Sequence, residues 1–106
     1  MAHQNLGEFE HQVLLAILRL ESESYSVPIV EELEVRTGRD VSQAAVFIVL
    51  RRLENKGLLS SRIDDTGGRT RRYFRLQPAG LERLREARRG LVSLWDGVTA
   101  TLDDVS

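Results

Sequence analysis

Between Leu58 and Leu76 the sequence leaves the helical period of the segments on either side of it. "LLSSRIDD" and "RTRRYFRL" are short alternating runs around Thr66-Gly67-Gly68, and alternation flanking glycines predicts a β-hairpin. In the second run Phe74 and Leu76 fall on one side, and Arg71, Tyr73 and Arg75 on the other, because successive strand side chains point to opposite faces. The rest of the chain reads as helix, so the place of this hairpin among the helices decides the topology.

Helical spacing of Phe9, Val13, Ile17 and Leu20 predicts a first helix starting near Asn5, with Glu8 three residues on as in a capping box. Leu14 and Leu18 widen its stripe, which predicts burial on two sides, against its own core and against a second subunit. "ESESYS" breaks the pattern. Ser26 then caps a short second helix that tolerates Pro28 in its first turn, turns Ile29, Val30 and Leu33 inward and stops at Gly38.

Ser42 is the expected N-cap of a third helix that ends at Gly57. Its core stripe is Val46, Val49, Leu50 and Leu53, and 100° per residue puts Ala44, Ile48, Arg51 and Asn55 opposite, flanked by Phe47 and Arg52. An exposed apolar face of this kind is a cost without a partner. Beyond "QPAG", Leu81, Leu84, Arg88, Leu91, Trp95, Val98 and Leu102 step by three and four like a heptad seam. A chain of 106 residues is too small to cover that seam itself, so a second copy is expected over Leu84, Leu91, Trp95, Val98 and Leu102. Arg88 interrupts the seam, either snorkelling past the interface or pairing with an acidic residue of the partner.

Three helices, a hairpin and a fourth helix predict a mainly α (α+β) chain: a winged helix-turn-helix over residues 1–80, then a C-terminal dimerisation helix and short tail over 81–106, in one compact unit. The net charge of −1 conceals an asymmetry. Residues 1–35 hold seven acids and one base, residues 36–89 hold fourteen bases and six acids, and the last seventeen residues add three acids. A molecule with one surface for a polyanion and another turned from it would divide its charge this way; solvated helix faces are the plainer explanation.

Other functions find little support. There is no cysteine, and His3 and His11 lie too far apart for one helical face, so no metal or cofactor is expected. No apolar run approaches a membrane span and no signal segment is visible, which predicts a cytoplasmic protein. Glu31 and Glu32 diverge on a helix, and nothing resembles a nucleophile with its base, so no enzymatic activity is expected.

Arg69, Arg71, Arg72 and Arg75 crowd the second strand and its approach. One reading gives them to DNA phosphates beside a groove held by helix 3. The other pairs them across the hairpin with Asp64 and Asp65, although two aspartates cannot absorb five arginines, Arg62 included. On helix 3, Ser42, Gln43, Ala44 and Phe47 would meet base edges and Arg51 a base or phosphate; Phe47 also reads as a core residue at the flank of the stripe.

"LGEFEHQVLLAILRL", "YSVPIVEELEVRTGRDVSQAAVFIVLRRLENKGLLSSR" and "GGRTRRYFRLQPAG" taken in order resemble the PadR-type transcriptional regulators, from residue 6 to about 95. The resemblance implies a dimeric winged helix whose last helix drives dimerisation, and in some members a flat aromatic effector at the dimer interface, where Trp95 falls; a packed interface tryptophan is the other reading. Phe47-Ile48 replaces the family's tyrosine-proline pair, and Leu76-Gln77 its leucine-threonine. The expected function is a homodimeric repressor that reads a two-fold symmetric site on double-stranded DNA. The alternative is a dimeric protein-interaction module that uses Ala44, Phe47 and Ile48 and binds no DNA.

Overall fold

The computed structural model describes residues 6–105. Helix α1 (Glu8–Arg19) is entered at Gly7, whose N–H donates to Glu10 Oε1 at 3.0 Å; the cap expected at Asn5 lies outside the described residues. Glu10 is only 7% exposed, and a buried carboxylate needs a partner. Lys56 Nζ supplies it at 2.9 Å from Oε2. Burial alone would raise the Glu10 pKa; the Lys56 hydrogen bond, the Gly7 N–H and the charges of Lys56 and Arg52 outweigh it and hold the group below its ordinary value. Val13, Leu14 and Ile17 are wholly buried.

The segment that breaks the helical pattern contains a strand. Glu21 and Ser22 take positive φ, and the Ser22 carbonyl accepts from Leu76 N–H at 2.9 Å. This lays β1 (Glu23–Ser24) antiparallel to β3 (Arg71–Leu76). The hairpin therefore belongs to a three-stranded sheet, in the order β1-β3-β2 with β2 at Leu59–Asp64. Helix α2 (Ser26–Thr37) has Tyr25, not Ser26, at its N-cap, and it runs for 12 residues, as long as α1. It buries Ile29 and Leu33 and ends at Gly38.

Helix α3 (Gln43–Asn55) follows the expected pattern closely. The Ser42 hydroxyl accepts from Ala45 N–H at 3.2 Å, and Val46, Val49, Leu50 and Leu53 are buried. With Leu14, Ile17, Ile29, Leu58 and Phe74 they form one core. In the wing, Leu59↔Leu76 through Asp64↔Arg71 are paired, and the connection turns through Gly67 and Gly68, both at φ 79°, a region open to glycine and closed to most side chains.

Helix α4 starts at Pro78 and ends at Trp95, so "QPAG" forms its approach and first turn. Its start is pinned by Gln77 N–H donating to the Leu58 carbonyl at 3.0 Å. A Cβ on Gly80 would press into that same carbonyl oxygen, well inside van der Waals distance. Gly80→Ala is therefore expected to cost about 1–3 kcal/mol through overpacking, read as a lower midpoint in thermal unfolding followed by circular dichroism. Gly90→Ala, further along α4 with nothing within 4 Å of its Cβ position, is the control. It should raise the midpoint, by about 0.5–1 kcal/mol of helix propensity.

The continuous final helix expected from the heptad steps is interrupted. Asp96 leaves the helical region at ψ 123°, Gly97 is left-handed at φ 81°, and a separate α5 (Thr99–Asp104) follows. Val98 and Leu102 therefore do not continue the α4 stripe. Leu84 departs from expectation as well: it is buried in its own chain's core.

Candidate nucleic-acid interface

The wing and α3 meet along one edge. The rings of Phe47 and Phe74 stand edge to face at 6.0 Å, so Phe47 rests one side on the core while remaining 40% exposed. Arg72 Nη1 donates to Ser61 Oγ at 2.9 Å, and that hydroxyl donates to Glu54 Oε2 at 2.5 Å. The other Glu54 oxygen lies 3.7 Å from Arg51 Nη1. A wing arginine and a helix arginine thus converge on one carboxylate.

At the start of α3, Gln43 Nε2 donates to Ser26 Oγ at 3.2 Å. Ser42, Gln43, Ala44, Ile48 and Arg51 are all exposed, so the surface offers an apolar patch at the front of the helix and cations behind it.

Cross-strand ion pairing does not absorb the charge of the wing. Asp64 stands opposite Arg71 in register, but its Oδ1 accepts from Thr66 Oγ1 at 2.6 Å and Thr66 N–H at 2.8 Å. Those two bonds, with the charges of Arg62 and Arg71, hold its pKa below the ordinary value. Asp65 accepts from the Thr70 hydroxyl. Arg62 is the neutralised member: Glu23 of β1 takes its Nε and Nη2 at 3.2 and 3.3 Å, and Asp64 lies 3.9 Å away. Among the described residues no carboxylate lies within 4.0 Å of Arg69, Arg71, Arg72 or Arg75.

Two features of this surface escaped the sequence reading. Ile63, 55% exposed, is paired with Arg72 on the strand face that carries Phe74; the alternation Leu59, Ser61, Ile63 could have placed it there. Tyr25 and Tyr73 stack on the opposite face, 5.3 Å apart, and no local signal joins two residues so distant in sequence.

A second surface lies between α1 and α4. Leu15, Leu18, Leu81, Leu91 and Val92 line a groove of about 390 Å³, edged by His11, Arg85 and Arg88. Leu91 is 51% and Trp95 47% exposed, and every described residue from Arg88 onward is exposed. Among the described residues no cluster of His, Cys, Asp and Glu could hold a metal ion, and no helix is long and apolar enough to cross a membrane.

Residues 14–86 match the family model described as the transcriptional regulator PadR-like family. A PadR family transcriptional regulator from Eggerthella lenta has a similar structure, with 32% identity and a TM-score of 0.69, over 85% of this chain and 80% of that one. A PadR-like regulator from Bacillus cereus shares the fold at 22% identity and a TM-score of 0.68, over 92% of this chain and 89% of the other. So does F93 from STIV, a winged-helix DNA-binding protein, at 13% identity and a TM-score of 0.72, over 89% and 98%. No curated protein matches the sequence at a significant level.

Proposed function

Since the chain belongs to the PadR-like family of transcriptional regulators, we propose that it works as a homodimeric repressor on a two-fold symmetric operator. Helix α3 enters the major groove with Ser42, Gln43, Ala44 and Phe47 toward base edges and Arg51 toward a base or phosphate, while Arg69, Arg71 and Arg72 take phosphates beside that groove. The observation that carries this reading is the set of wing arginines with no carboxylate partner among the described residues, one of which, Arg72, is joined to α3 through Ser61 and Glu54. Gln43 offers an amide to an adenine edge, and Ala44 and Phe47 suit thymine methyls.

Residues 1–80 read DNA in this account and residues 81–106 dimerise. The second copy covers the α1–α4 groove and the half-exposed Leu91 and Trp95, with Val98 and Leu102 of the following segment at its margin; Arg88 stands at the groove edge and Leu84 supports the surface from below. Packing by the partner accounts for the Trp95 ring; a small aromatic effector stacked on it at this interface is the other reading. The cytoplasm is the compartment in which such a regulator meets its operator. The alternative of a protein-interaction module rests on the exposed Ala44, Phe47 and Ile48 and leaves the wing cations without a role.

The test is a titration of a duplex from the gene's own promoter region at several salt concentrations. Affinity should fall steeply with salt and the footprint should be symmetric. Salt-independent binding, or recovery of a stoichiometric protein partner with no affinity for DNA, would contradict the reading.

A further inference from the structure

We infer that Tyr25 and Tyr73 are positioning residues that hold the wing and aim Arg71 at the phosphate backbone, an inference that rests on the DNA-binding reading above. Four side chains form a continuous stack on the sheet face turned away from the core. The Arg62 guanidinium lies over the Tyr73 ring, with its carbon 4.6 Å from the centroid. Tyr73 meets Tyr25 at 5.3 Å and an interplanar angle of 59°. Arg71 lies over Tyr25, again at 4.6 Å.

The members come from three elements. Arg62 is on β2, Tyr73 and Arg71 are on β3, and Tyr25 is the N-cap of α2. Glu23 of β1 anchors the far end through its two hydrogen bonds to Arg62. The stack therefore ties the projecting hairpin to the start of α2.

A guanidinium seated on a ring by its face keeps its N–H groups at the edge, in the plane that meets a phosphate. Arg71 is left in that state: one face rests on Tyr25, and among the described residues no carboxylate lies within 4.0 Å of it. A free arginine samples many rotamers and must lose them on binding, whereas a stacked one has already lost most of them. Arg62, neutralised by Glu23, serves as the buttress of the stack rather than as a phosphate ligand.

The experiment measures affinity for a mixed-sequence duplex against salt concentration, which reports phosphate neutralisation whatever the operator is. Tyr25→Leu and Arg71→Lys should each weaken binding about tenfold through loss of the stacking, with the slope of log affinity against log salt unchanged, because no charge has been removed. Arg71→Ala should flatten the slope by about 0.9 for each phosphate it leaves unneutralised. Tyr25→Phe, which keeps the ring, should bind as the native protein does. Circular dichroism checks that each variant is folded, and should Tyr25→Leu fail to fold, Arg71→Lys decides.

Native-like affinity in both Tyr25→Leu and Arg71→Lys would overturn the inference. So would a Tyr25→Phe defect as deep as that of Tyr25→Leu, or a slope in Tyr25→Leu as flat as in Arg71→Ala. If the unaltered protein shows no salt-dependent affinity, the DNA-binding reading falls and this inference with it; if it binds and the variants are indifferent, only this inference falls.

Discussion

Leu91→Asp combined with Trp95→Asp is expected to convert the proposed homodimer into a folded monomer that no longer holds its operator. Both side chains are about half exposed in the single chain and stand on the part of α4 that projects beyond the core. Removing them should therefore leave Val13, Leu50, Phe74 and the rest of the core untouched. In a two-fold interface each substitution acts twice. Full burial of a large apolar side chain is worth roughly 1.5–3 kcal/mol, and a partner has only the exposed half of each left to cover, so four losses amount to about 3–6 kcal/mol, on the order of a 10²–10⁴-fold weaker association. The operator then loses the linkage between half-sites, worth a further factor of about 10²–10⁴. Sedimentation equilibrium reads the first effect, and titration of the promoter duplex the second. A double variant that sediments as the native protein does would move the interface elsewhere.

Replacing Arg69, Arg71 and Arg72 with alanine is the second large effect. Six cations leave the proposed dimer, and at about 0.9 per neutralised phosphate the slope of log affinity against log salt should flatten by up to roughly 5. At moderate salt this is a loss on the order of 10²–10⁴ in affinity. The stability cost should be small. Arg71 gives up its place over Tyr25 and Arg72 its partly buried bond to Ser61, each worth about 0.5–2 kcal/mol, and Ser61 keeps its bond to Glu54. Arg36→Ala, which removes one cation per protomer, is the control: its guanidinium is bonded to Glu32 at 3.0 Å on α2, away from the wing, and the slope should not move. Equal flattening per cation removed in the two proteins would mean that overall charge, not the wing, drives binding.

Much of the fold is legible in the sequence because local geometry dictates it. The α3 stripe follows from 100° per residue alone, and Val46, Val49, Leu50 and Leu53 are buried as that spacing requires. The wing's inward Phe74 and Leu76 follow from alternation in the same way. What escapes is whatever long-range pairing decides. Strand β1 is two residues long in a polar segment, and only its pairing with β3 makes it a strand. With β1 unseen, Glu23 could not be set against Arg62, and the wing's charge balance lacked its main acid.

The end of the chain misleads for another reason. Apolar residues keep stepping by three and four through Asp96 and Gly97, yet glycine weakens a helix interior by about 1 kcal/mol. Here Gly97 takes a left-handed conformation that ends the helix. Periodicity also cannot distinguish a residue buried in its own chain's core, as Leu84 is, from one left for a partner.

The central claim is that wing and α3 form one surface, and that a two-fold partner repeats it at the spacing of a DNA groove. Because the chain has no cysteine, Arg52→Cys on the exposed side of α3 places a single spin label on each protomer. Pulsed electron resonance on the free protein should then give one interprotomer distance near about 34 Å, one turn of the double helix, broadened by the label arms. A distance far from that value, or no dipolar coupling between protomers, would contradict the account.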